Sequence, residues 1–160
     1  MSGLRVGMRG IVFAVAVVLG PASILSSSAG ADEYGDTMLK GKEAFASQCL
    51  NCHQSIDEVT GAYRTRPDWQ KIVAGMAGRG AKLDETQQAA VVEYLAGRML
   101  LIGKCRGCHT YLRPLTVGKS LANWRSTIQR MAERMPKDLG MTPEQIDQLA
   151  VFLAIERPAR

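Results

Sequence analysis

The segment Cys49-Leu50-Asn51-Cys52-His53 recurs as Cys105-Arg106-Gly107-Cys108-His109, and the two copies hold all four cysteines and both histidines of the chain. No thiol or imidazole is left for other chemistry. Two cysteines three residues apart on a helical turn can form thioethers to the two vinyls of a haem, and the histidine that follows can face the iron. The expectation is two covalently attached haem c groups, one on Cys49, Cys52 and His53, the other on Cys105, Cys108 and His109. A four-thiolate zinc site competes for the same cysteines, but 52 residues separate Cys52 from Cys105, against about 15–20 in zinc ribbons. A redox dithiol or a pair of disulfides leaves the histidines without a task.

Residues 1–31 point to the compartment. Arg5 and Arg9 precede an apolar run from Ile11 to Val18, which continues through Gly20-Pro21 to Leu25, and small residues lead on to Ala29-Gly30-Ala31. That order is the order of a secretory signal, with cleavage expected after Ala31. As a membrane anchor the run is short of about 20 residues, and Gly20-Pro21 interrupts it. Haem attachment at such motifs takes place outside the energy-conserving membrane, so a periplasmic location is expected. Without residues 1–31 the chain keeps 18 of its 20 basic residues and all 15 acidic ones, a balance of +3 before haem carboxylates are counted. Such a modest charge gives no reason to expect a nucleic-acid partner. After cleavage no membrane span is expected.

The elements that must present these residues form an internal repeat, Gly41 to Leu95 and Gly97 to Leu153. Gly41 matches Gly97 eight residues before the first cysteine, and Phe45 matches Leu101 four before it, on the face of a helix leading into the motif. Asp68-Trp69 matches Asn123-Trp124, and Asp and Asn are expected to be N-caps, so that each middle helix begins at its tryptophan. An apolar stripe follows at i, i+3, i+4 and i+7: Trp69, Ile72, Val73 and Met76, then Trp124, Thr127, Ile128 and Met131. The last helices open at Asp84 with Gln87 and at Thr142 with Gln145, both capping boxes, with Pro143 at a tolerated first-turn position. No strand pattern of comparable strength is present. The fold class is expected to be all-α, with a signal at 1–31, a first haem domain at 32–97 and a second at 98–160. Units of roughly 60 residues bury too little apolar surface to be secure alone. The haem is expected to supply each centre, leaving the apoprotein largely unfolded.

The order Gly-x3-Phe-x3-Cys-x2-Cys-His, with a terminal helix ending in Tyr-Leu, resembles the class I cytochrome c fold. The Trp-x6-Met helix in both halves is similar to that of the small tandem haem domains of periplasmic dihaem cytochromes, and to the dihaem portion of quinohaemoprotein amine dehydrogenases. The resemblance implies two tandem cytochrome c-like domains over nearly all of the mature chain. Leu101 departs from it, standing where an aromatic is usual.

With His53 and His109 on the proximal sides, no histidine is left for the distal ones. Methionine is the alternative, and a thioether opposite histidine raises the potential of a haem. Met76 and Met99 are candidates for the first iron, and Met131, Met135 and Met141 for the second. Repeat symmetry favours Met76 and Met131, each seven residues after a tryptophan. Met135-Pro136 competes with Met131, because it resembles the Met-Pro ligand loop of many class I cytochromes; its counterpart in the first repeat is Gly80. Trp69, Trp124, Tyr94 and Phe152 are expected to pack on haem, and Arg64 and Lys119, at matching positions, either pair with haem carboxylates or are solvated. An iron with two strong protein ligands exchanges electrons and has no open site. The reading is therefore a dihaem electron carrier between a redox protein donor and an acceptor, and not an enzyme. Alternatives are a haem-carrying subunit of a periplasmic oxidoreductase and a dihaem peroxidase-type enzyme, which would need one five-coordinate iron.

Overall fold

The computed structural model describes residues 27–135 and 139–159, with side chains from Asp32 onward. Residues 1–26 of the expected signal, and Pro136 of the Met-Pro pair, lie outside the described residues. The described elements are α1 (Ser27–Ala44), which widens into a π-type turn at Phe45–Cys49, α2 (Ile56–Val59), α3 (Arg66–Ala77), α4 (Glu85–Cys105), a 3-10 turn at Arg113–Thr116, α5 (Leu121–Arg134) and α6 (Pro143–Glu156). The fold is all-α, as expected, with no strand among the described residues. The position after Ala31, where cleavage is expected, falls inside α1. No described helix is long and apolar enough to cross a membrane.

Helix starts follow local hydrogen bonding. Asp84 with Gln87 and Thr142 with Gln145 form reciprocal capping boxes at α4 and α6, each satisfying two backbone N–H groups the helix leaves free. The middle helices begin one turn earlier than expected. Thr65 caps α3 and Ser120 caps α5, and Asp68 and Asn123 are their third helical residues rather than N-caps. Asp68 turns its carboxylate back to the Thr65 N–H at 2.9 Å, and the fixed φ of Pro67 suits a first turn. Each tryptophan is thereby set inside regular helix.

The same three-helix arrangement occurs twice, and α4 belongs to both copies. In the first, α1 leads into the motif, and α3 and α1 both pack on α4; in the second, α4 leads into the motif, and α5 and α4 pack on α6. The two matched glycines make the crossings. A Cβ on Gly41 would overlap the Ala90 carbonyl of α4, and one on Gly97 would lie 2.8 Å from the Phe152 ring of α6. The core is one cluster running through both repeats, with Met38, Leu95, Leu101, Leu149 and Phe152 essentially inaccessible. Phe45, Tyr94 and Phe152 stack through it in series, with ring centroids 5.7 and 5.6 Å apart. The expected domain boundary, between residues 97 and 98, falls within α4, so a rigid helix joins the halves where a linker would let them move apart.

Candidate functional site

The first motif lies on the π-type turn and the loop after it. The His53 N–H closes on the Cys49 carbonyl at 2.9 Å, which gathers Cys49, Cys52 and His53 on one turn. The imidazole Nδ1 faces the Glu58 carboxylate at 3.4 Å, whose other oxygen accepts the Gln54 N–H at 2.7 Å. That backbone hydrogen bond, and then His53, hold the Glu58 carboxyl below its ordinary range. With Nδ1 so occupied, Nε2 is the ring nitrogen left for a metal.

Beside the turn opens a cavity of about 760 Å³, within the range of ligand pockets, about 300–1,000 Å³. Cys49, Cys52 and His53 line it together with Met76 from α3, apolar Phe45, Val73, Val91 and Leu95, and Trp69 with Arg64. Met76 is the methionine in this lining. Met99 is buried in the common core and is not part of the lining. Gly80 holds φ at 114° on the cavity wall, a conformation few side chains accept, just after the turn that ends α3.

Trp69 is 1% exposed, and its indole N–H is buried without a partner. Such a donor costs about 1–3 kcal/mol when left unmade. The Arg64 guanidinium lies 5.3 Å from the ring centroid. The Arg64 cation on the cavity wall suits a carboxylate. The lining thus fits the needs of a covalent haem c: two thiols, an imidazole with free Nε2, a thioether, apolar walls and a cation for a carboxylate.

The second motif repeats part of this. His109 uses Nδ1 on the Thr110 carbonyl at 2.9 Å, again leaving Nε2. The Trp124 indole N–H is also buried and unpartnered, with Lys119 Nζ 5.0 Å over its ring and bonded to the Thr127 hydroxyl at 2.9 Å. Arg64 and Lys119 therefore both stand over the matching indole. The methionines differ between the halves. Met131 ends its stripe 39% exposed, whereas the Cys108 thiol donates to Met135 Sδ at 3.7 Å. Met141 lines a separate cavity of about 450 Å³ with Arg125, Glu133 and Asp147, apart from the motif.

Burial pushes the Cys49 thiol up, and that of Cys105 up to about 11, with the neighbouring Cys108 adding to the rise. Among the described residues no three Cys, His, Asp or Glu side chains converge on a metal position. Residues the motif reading did not pick out are Glu58, Asp57, Arg98 and Tyr111. A lone charge in the apolar stretch 94–103 is the one signal that could have flagged Arg98. No protein-family model, curated protein or solved structure matches the chain.

Proposed function

We propose that the protein is an exported dihaem c-type cytochrome that passes single electrons between a redox protein donor and an acceptor. The observation that carries this reading is the first cavity, where Cys49, Cys52, His53 and Met76 face one apolar space with Arg64 on its wall. When bound, each haem supplies a one-electron iron couple. Cys49 and Cys52, and Cys105 and Cys108, would tether it; His53 and His109 would ligate through Nε2, oriented by Glu58 and by the Thr110 carbonyl. Met76 would supply a sulfur donor at the first site, which would favour the reduced state. For the second site symmetry supports Met131 and proximity to Cys108 supports Met135. Arg64 and Lys119 would take carboxylates, while Phe45, Val73 and Leu95 would keep water from the first site.

Two haems per chain by pyridine haemochrome, low-spin ferric spectra with a sulfur-to-iron band and export to the periplasm are the expected results. A haem-free protein, or a high-spin ferric iron that binds cyanide readily, would overturn the carrier reading.

A further inference from the structure

Arg98 stands two helical turns before Cys105 on the shared helix α4 and is only 2% exposed. A buried cation is costly unless paired, and its partners come from both halves. Nη2 donates to Asp57 Oδ1 at 2.5 Å. The guanidinium lies 5.1 Å over the Tyr111 ring, and the Tyr111 hydroxyl reaches the same Asp57 oxygen at 3.5 Å. Nε is buried and unpartnered. Asp57 comes four residues after His53 and Tyr111 two after His109. One guanidinium thus ties together the segments that leave the two motifs. The matching Lys42 also reaches across repeats, to Glu156 at 3.2 Å, but it is 35% exposed and touches neither motif.

We infer that Arg98 is a positioning residue that couples the two haem sites, holding both motif-bearing segments around one buried positive charge. This rests on the dihaem reading. A cation fixed beside the segments that follow both His53 and His109 would disfavour the oxidised form of each iron, which carries one more positive charge, and so would raise both potentials together. Asp57 partly offsets it. The two partners therefore act with opposite sign, which mere loosening of the structure would not produce.

The test is spectroelectrochemical titration of the holoprotein at fixed ionic strength. Arg98→Gln is expected to lower both potentials, changing the reduced-to-oxidised ratio at a given applied potential about tenfold, or 59 mV for one electron. Asp57→Asn, at an exposed carboxylate, is expected to raise both, by about threefold in that ratio, and Arg98→Lys to restore most of the loss. Shifts of the same sign in the two variants, a shift confined to one haem, or none, overturn the coupling. If Arg98→Gln gives no folded holoprotein, Asp57→Asn decides alone: a rise at both haems supports the inference and its absence overturns it. Haem counts separate the two levels. Two haems with unmoved potentials refute only the coupling, whereas a chain without haem refutes the dihaem reading and the coupling with it.

Discussion

Replacing Gly41 by alanine tests the helix crossing on which the first motif depends. In an exposed helix interior the change is favourable by about 1 kcal/mol, and at Gly75 of α3, where nothing lies within 4 Å of an added Cβ, that gain should appear in full. At Gly41 the added carbon would meet the Ala90 carbonyl, a backbone group that cannot swing aside. Overpacking costs about 1–3 kcal/mol where side chains can adjust, and this obstacle places the cost at the upper end. The net expectation is a loss of about 2 kcal/mol, which is a fall in Tm of about 8 °C for a chain of this size. Gly97→Ala meets the Phe152 ring, which can tilt, so a net loss of about 1 kcal/mol is expected. The assay is thermal and urea unfolding of the three holoproteins, with the Soret band read alongside circular dichroism. Because α1 carries Phe45 and Cys49 directly beyond the crossing, the Soret spectrum of Gly41→Ala should also shift. Equal or greater stability of Gly41→Ala relative to Gly75→Ala would refute the close crossing of α1 and α4.

Other outcomes can be checked separately. Met76→Ala is expected to abolish the sulfur-to-iron band of one haem, open it to exogenous ligands and lower its potential; an unchanged spectrum would remove Met76 from the iron. The second ligand is decided by Met131→Ala and Met135→Ala, since only the ligand's loss produces high-spin iron, and a Met135 result would mean that repeat symmetry misleads there. His109→Ala should destabilise the first half as well as the second, because α4 and the core are common to both; hydrogen exchange in α1 and α3 that stays at the parent level would contradict this. Burial, then Glu156, raises the Tyr94 hydroxyl above its ordinary value of 10, and burial, then Glu93, does the same at Tyr34. The unfolded chain then ionises first as pH rises. Stability from these groups is complete below about pH 10 and is lost progressively above it. The urea midpoint should be level from pH 8 to about 10 and fall beyond, with a smaller fall in Tyr94→Phe; an identical fall in that variant would rule Tyr94 out as a source.

The capping boxes at Asp84 and Thr142, the helical stripe ending in Met76 and the turn that gathers Cys49, Cys52 and His53 were legible from the sequence alone. Each is set by groups within one or two turns of each other, where spacing alone fixes which atoms can meet. The starts of α3 and α5 were misread for a related reason: Asp and Asn suit both the N-cap and the third helical position, and Thr65 and Ser120 took the cap one turn upstream. Repeat logic pointed to Met76 and gave no hint that Met131 would be exposed, because burial at the end of a stripe depends on what packs over it. Only the tertiary structure decided that α4 serves both repeats within one core, that two tryptophans bury unpaired N–H groups, and that Arg98 meets Asp57 and Tyr111. Those contacts join residues far apart in the chain, 54 positions in the case of Asp57 and Tyr111. Their partners are chosen by helix crossings, set here by the bare glycines at 41 and 97, and no local spacing encodes them.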